Sequence, residues 1–306
     1  MSAGRLMLLD TATLYYRAFY ALPTSLTGPD GLPNNAIRGF CDALPSLIRA
    51  TEATDLICAW DTDWRPQWRV EFWPGYKTHR LADVADGVEP GASNQPDELS
   101  PQVDAIADVL DHAGIARVGV PDFEADDVIA TVAEQWPGEV VIVTSDRDLL
   151  QCVTDDSRVR VLSMARGLSN LQWFDAEAVL NRFAVPPHAY ADFATLRGDS
   201  SDGLPGVPGI GEKTAAALIA QWGSVERIVA AAHDVASDMT PRARRAIMQS
   251  AELIPAWAHV TKARTDVPVP HAPTSLPTAP NARFEHVVQQ YGIARIVTSW
   301  RGTLHA

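Results

Sequence analysis

The chain has 306 residues, 46% of them hydrophobic, and a formal net charge of −13. That length supports a sizeable core in one large or two smaller domains, while the acidic balance, taken alone, argues against a nucleic-acid binder, because such binders are usually basic. No apolar run reaches the length of a membrane span, the RLMLL run near the start is too short for a signal-peptide core, and Cys41, Cys58 and Cys152 lack CxxC spacing, which suits reduced, buried thiols in a cytoplasmic protein.

Residues 5–10 (RLMLLD) read as a first buried strand ending in an acid, and residues 13–22 as a helix or ordered loop that sets Arg17 among aromatic rings. Gly28, Pro29, Asp30 and Gly31 form a turn cluster. Residues 36–49 carry Ile37, Phe40, Leu44, Leu47 and Ile48 at helical spacing, with Pro45 predicting a kink. Residues 56–61 (LICAWD) are a second strand, again ending in an acid. In residues 64–80 the basic Arg65, Arg69, Lys77, His79 and Arg80 interleave with Trp64, Trp68, Phe72, Trp73 and Tyr76. That composition suits a nucleic-acid path, with cations on phosphates and rings on bases, or an amphipathic surface segment. Residues 81–97 are polar and aperiodic. Residues 101–114 form an amphipathic helix and 117–120 a strand. Asp122 is placed to cap the next helix, whose core stripe is Val128, Ile129, Val132 and Trp136.

Residues 140–148 (VVIVTSDRD) are the stretch around which the rest is organised. Their β-branched run does not alternate, as in a parallel strand covered on both faces. Residues 159–162 and 171–174 are short strands suited to a hairpin. The strand–helix alternation predicts an α/β unit over residues 1–175, a largely parallel central sheet with helices on both faces. Residues 176–306 read as a helical region, with helices at 175–183, 188–196, 213–222, 225–232, 242–254 and 282–291. The proline-rich residues 265–281 are a linker or an extended strap.

The acids form a set. Asp10, Asp61, Asp146 and Asp148 end strands, while Glu124, Asp126 and Asp127 open a helix. In a parallel sheet those positions share the edge where ligands bind. Asp199 and Asp202, three apart in GDSSDG, share a face of a helical turn, as do Glu124 and Asp127, with Asp126 pointing elsewhere unless the first turn is irregular. Each alone has an ordinary explanation in the helix macrodipole or in turn chemistry. Nine carboxylates on one edge cannot all stay ionised without compensation. An all-oxygen set without His or Cys favours Mg²⁺ or Mn²⁺ over Zn²⁺, and two such ions roughly 3.5–4 Å apart suit in-line displacement at phosphorus.

Residues 206–214 read GVPGIGEKT. Glu212 separates Gly211 from Lys213, so the P-loop spacing fails, and no strand precedes it. What remains is a tight glycine turn, Gly206, Gly209 and Gly211, leading through Lys213 and Thr214 into a helix. Such a turn admits a phosphate backbone to the helix's free N–H groups. A hairpin of this kind between the helices of residues 189–222 grips one strand of a duplex without reading bases.

At this point the chain resembles the bacterial 5′-nucleases: the 5′–3′ exonuclease domain of DNA polymerase I and the related flap endonucleases. The carrying segments are LLDTATLYYRAF, WDTDWRPQWRVEFWPGYKTHR, VPDFEADDVIA, VTSDRDLLQ and LRGDSSDGLPGVPGIGEKTA. The resemblance implies the PIN-like nuclease core, a helical arch at about residues 70–100 and a helix–two-turn–helix motif at about 189–222. It implies that Asp10, Asp61, Glu124, Asp126, Asp127, Asp146, Asp148, Asp199 and Asp202 bind two or more Mg²⁺ or Mn²⁺ ions, and that Lys77 and Arg80 contact the scissile phosphate. Arg17, Arg69, Tyr76, Gly206, Gly209, Gly211, Lys213 and Thr214 become DNA-binding candidates, with a potassium ion at the glycine loop. The implied substrate is DNA with 5′ ends, flaps or nicks, including RNA primers on DNA. The implied protein is a monomeric, nucleoid-associated nuclease of replication and repair, free-standing because no polymerase domain follows. One departure is that no lysine precedes GDSSD; Arg197 is the nearest cation. Two other readings stand beside this one, a catalytically silent DNA-binding protein of the same fold and a PIN-type ribonuclease.

Overall fold

The structure is a computed structural model describing residues 4–81 and 96–304; the arch expected at about residues 70–100 lies, over 82–95, outside the described residues. One sheet runs through it: β1 (Leu6–Asp10), β2 (Asp55–Ala59), β3 (Ala116–Val118), β4 (Val140–Thr144), β5 (Val159–Ser163) and β6 (Gln172–Phe174), in the order β3-β2-β1-β4-β5-β6. The first five strands are parallel and β6 returns antiparallel to β5, the hairpin expected. β1 is central, with Leu8 opposite both Ile57 and Ile142. The chain builds outward from β1 through β2 to β3, then crosses back to place β4 on β1's other side. That reversal opens a crevice at the carboxyl ends of β1 and β4, where Asp10 and Asp146 stand.

β1, β2 and β4 are buried along their whole length, so their runs need no alternation. Leu6 and Leu8 face one core, Met7 and Leu9 the other. The Met7 face is covered by α1 (Thr11–Ala21), α2 (Asn35–Thr51), α4 (Ser100–Ala113) and the late helix α12 (Phe284–Gln290); α3 (Gln67–Phe72) lies to one side. The Leu8 face is covered by α5 (Ala125–Gln135) and by α6 (Ala176–Phe183), α7 (Tyr190–Arg197), α8 (Glu212–Trp222), α9 (Val225–His233), α10 (Pro241–Ser250) and α11 (Ile254–Thr261). One continuous apolar core joins this helical region to the sheet. Among the described residues no helix is long and apolar enough to cross a membrane.

Two local expectations change, and Pro45 acquires a partner for what it displaces. Pro45 lies inside α2, which runs on to Thr51. Pro45 leaves the Cys41 carbonyl without its helical donor, and the buried Trp300 indole Nε1 donates to that carbonyl at 2.8 Å. The helix expected at residues 242–254 ends at Ser250 as α10, and after a turn α11 starts at Ile254, with Pro255 in its first turn, where its ring cannot continue a preceding helix. Glu124, not Asp122, caps α5, in a capping box with Asp127; Asp122 sits in the left-handed region, at φ +66°. The proline-rich strap is extended, as expected, and pairs with the start of β2: Leu56 N–H donates to the Thr274 carbonyl at 2.7 Å and Leu276 N–H to the Thr54 carbonyl at 3.1 Å.

Candidate active site

The crevice is a cleft of about 520 Å³ whose lining includes Asp10, Asp61, Glu124, Asp126 and Asp146 beside Arg17, Lys77 and Arg80. Asp10 ends β1 and caps α1, accepting from the Thr13 N–H at 3.2 Å and the Thr144 Oγ1 at 2.7 Å. Asp61 accepts the Ala125 N–H at 2.8 Å. Asp126, in α5's first turn, faces the cleft. Glu124, buried, accepts from the Tyr76 hydroxyl at 2.7 Å and pairs with both Lys77 and Arg69.

Asp127, Arg69 and Tyr76, expected at the metal or at DNA, do not line the cleft. Asp127 is fully buried behind the cleft. It pairs with Arg69 at 2.7 Å and accepts the Arg264 N–H at 2.9 Å. Arg69 and Tyr76 are 3% and 2% exposed, too enclosed to reach DNA; they brace Glu124 from behind. Glu124 and Asp127 do share a face, that of Arg69, while Asp126 points into the cleft. The rings of residues 64–80 are also partly diverted. Trp73 meets Trp257 edge-on at 5.8 Å, and Phe72 lies 3.8 Å from His259, so these aromatics pack on α11.

A second group of acids lies beside the first. The Asp148 N–H donates to Asp146 at 2.8 Å. Asp199 accepts the Ser201 N–H at 2.8 Å and pairs with Arg197 at 3.1 Å. Asp202 lies 3.9 Å from Lys77 and 3.6 Å from Arg80, and its carbonyl accepts the Lys77 N–H at 3.0 Å. The loop of residues 198–211 seats on the Lys77 segment because Gly203, at φ +69°, has no Cβ: one built there would come within 2.4 Å of the Gly75 carbonyl. Lys77 itself is held in the left-handed region at φ +48°, a strained backbone of the kind found at functional sites.

Exclusion of water in the cleft, followed by repulsion from Asp146 and Asp10, holds the Asp126 carboxyl well above the ordinary range. Asp148 is raised in the same direction, by burial and then by Asp146 and Asp202. Asp146 is pushed up to about 6, first by loss of water, against a bond from the Asp148 N–H, and by Asp202 and Asp10. Asp146 keeps contact with solvent, so the crowding of like charge is the main cause. Burial also raises Asp61. Buried Asp148 Oδ1 and Ser145 Oγ have no hydrogen-bond partner. Oxygen-only donors, mutual repulsion and a free carboxylate oxygen fit a hard divalent cation. Among the described residues no three acids already close on one point.

The glycine hairpin joins α7 to α8. Gly206, at φ +64°, is required by close approach within the loop, since a Cβ there would meet the Gly198 nitrogen at 2.4 Å; it does not face outward. Gly209 and Gly211 open onto free space, and Gly209, Gly211, Lys213 and Thr214 are exposed. Gly211 caps α8 without a side chain, leaving first-turn N–H groups available to an anion. Sequence reading does not single out Thr13 and Thr144, which orient Asp10; a hydroxyl at the carboxyl end of the neighbouring strand was the available signal.

The family described as 5′–3′ exonuclease, N-terminal resolvase-like domain, matches residues 5–184, and the 5′–3′ exonuclease C-terminal SAM fold matches 185–283. A 5′–3′ exonuclease of Streptomyces coelicolor is 46% identical over 289 residues, covering 94% of this chain and 96% of that one. A 5′–3′ exonuclease of Mycobacterium tuberculosis is also 46% identical, over 86% of this chain and 85% of the relative. Among solved structures, the T5 D15 protein co-crystallised with metal ions aligns with a TM-score of 0.66 at 19% identity, over 84% of this chain and 89% of that one. The catalytic core of Rad2 in complex with DNA substrate aligns at 0.59 and 15% identity, over 97% and 92%. Both show the shared fold.

Proposed function

The chain belongs to the 5′–3′ exonuclease family and is a nuclease; from that premise we propose that it hydrolyses phosphodiester bonds near 5′ ends and flap junctions of duplex DNA, as a monomer associated with the nucleoid in replication and repair. The observation that carries this reading is the convergence of Asp10, Asp61, Glu124, Asp126 and Asp146 with Lys77 and Arg80 in one cleft, beside an exposed glycine hairpin. Asp10, Asp126 and Asp146 would hold one divalent ion, with Asp148, Asp199 and Asp202 serving a second. Bound there, Mg²⁺ or Mn²⁺ supplies an activated water and neutralises charge on the leaving oxygen. Glu124, braced by Arg69 and Tyr76, holds the Lys77 ammonium at the cleft wall. Lys77 and Arg80 present positive charge to the reacting phosphate. Gly209, Gly211, Lys213 and Thr214 hold the duplex by its backbone, with a potassium ion at the loop carbonyls. Asp127 drops out of the ligand set in this reading.

The direct test is an end-labelled 5′-flap duplex incubated with Mg²⁺, with Mn²⁺ and with EDTA. The expected result is metal-dependent cleavage at the junction. Binding without cleavage would support the silent DNA-binding alternative, and cleavage of single-stranded RNA without duplex preference the PIN-type ribonuclease.

Two further outcomes are expected. Lys77→Ala lowers the single-turnover rate by roughly 10²–10³, the usual cost of one preorganised charge at the reacting centre, with little change in affinity. An unchanged rate with weaker binding would make Lys77 a tether. Duplex affinity falls with salt, and Lys213→Ala lessens the slope of log affinity against log salt by about 0.9, one phosphate contact's worth. A slope identical to wild type would remove Lys213 from the interface.

A further inference from the structure

Behind the second group of acids, three side-chain atoms sealed from solvent lack a hydrogen-bond partner: Asp148 Oδ1, Arg197 Nη1 and Tyr190 Oη. They come from two elements, the loop after β4 and the helix α7, and the three groups lie within each other's electrostatic reach. The Arg197 side chain is 10% exposed and Tyr190 fully buried. The guanidinium stacks 5.4 Å over the Phe193 ring, its Nε donates to the Gly198 carbonyl at 3.0 Å and its Nη2 to Asp199 at 3.1 Å. Its Nη1 has no hydrogen-bond partner, its only near acid being Glu212 at 3.8 Å, and Asp148 and Tyr190 are electrostatic neighbours of the same guanidinium. Burial pushes the Tyr190 phenol up to about 12, so it is a neutral donor near pH 7.

Leaving a buried donor and a buried acceptor both unpaired costs more than a single bond between them contributes. We propose that Arg197, braced by the Tyr190 hydroxyl, is a positioning residue that holds Asp148 and Asp199 in register across two elements of the fold. The planar fork is what the task needs: one nitrogen for each acid, which a lysine's single ammonium cannot supply in fixed geometry. In this chain an arginine directly before Gly198 thus sets the spacing of the second pair of acids for a divalent ion. The inference rests on the metal-dependent reading above.

The test uses two charge-conserving variants, Arg197→Lys and Tyr190→Phe, so that net charge at the cleft is constant. Mn²⁺ binding to the full chain without DNA is measured by calorimetry, alongside thermal melts in EDTA. The expected result is a weaker-class Mn²⁺ affinity reduced about 10–100-fold in Arg197→Lys, the range for groups that orient metal ligands, and reduced to a smaller extent in Tyr190→Phe. The EDTA melt of Tyr190→Phe stays close to that of the wild type. Wild-type isotherms in both variants overturn the inference. So does a Tyr190→Phe protein that melts higher in EDTA and binds Mn²⁺ as before, since the hydroxyl is then merely an unpaired core group. If Arg197→Lys does not fold, Tyr190→Phe alone decides. A wild type that binds no Mn²⁺ overturns the metal reading as well, which keeps the two failures distinct.

Discussion

Asp146→Ala abolishes cleavage of a 5′-flap duplex and leaves duplex binding intact. Asp146 stands at the carboxyl end of β4, in the crevice with Asp10 and Asp126, and Asp202 and Asp10 are among the charges that raise its carboxyl. Its removal takes away a ligand whose ion is expected to contribute several kcal/mol to the reaction, so the single-turnover rate falls by about 10³ or more. In the proposed reading the duplex is held by the exposed Gly209–Gly211 turn and Lys213, which do not line the cleft, so affinity measured in Ca²⁺ or EDTA is expected not to follow the rate. Turnover within a few-fold of wild type would remove Asp146 from the metal site. Parallel loss of binding and rate would mean that the acids and the hairpin are one unit.

Metal-free protein is destabilised by its own cleft, and a divalent ion reverses this. Asp61, Asp126, Asp146 and Asp148 all have folded-state values raised above the unfolded one. A carboxylate raised in this way costs no stability below its unfolded value near 3.9. The cost grows as pH rises through the folded value and is complete above it. For Asp146 that window runs from about 4 to about 6; Asp126 and Asp148 act in the same direction. In EDTA the melting temperature therefore declines as pH rises across this range more than exposed carboxylates alone would give. Near neutral pH, Mg²⁺ or Mn²⁺ at a hundredfold excess over its dissociation constant restores about 2.7 kcal/mol by mass action, a rise of roughly 5 °C for a chain of this size. Near pH 4 the ligands are protonated and the ion does little. Asp126→Asn melts several degrees higher than wild type in EDTA and loses the response to metal, trading activity for stability. Melts of both proteins across pH, with and without metal, check this. Coincident wild-type curves in EDTA and Mg²⁺ would show the acids too well solvated to act as one site.

Much of this site is legible in the residues alone. The runs LMLLD, LICA and VVIVT announce buried parallel strands, because a strand covered on both faces has no reason to alternate. The acids that end them must then share one edge. The spacing GVPGIGEK marks a turn into a helix, because only glycine turns so tightly. What the sequence by itself determined is thus the sheet, the edge on which Asp10, Asp61 and Asp146 gather, and the hairpin beside it. The tertiary structure alone decided which charges face the cleft. Asp126 and Asp127 are neighbours with the same side chain, and only the packing of α5 against Arg69 and the Arg264 backbone turns one inward and the other to the cleft. Arg69 reads like Arg80 in the sequence, yet burial makes one a brace and leaves the other at the rim. The Cys41 carbonyl that Pro45 leaves without a helical donor finds one in Trp300, 259 residues after Cys41. Local patterns record which face of an element is apolar; they do not record which distant group will satisfy a buried charge or carbonyl, and that pairing is settled only when the chain has folded.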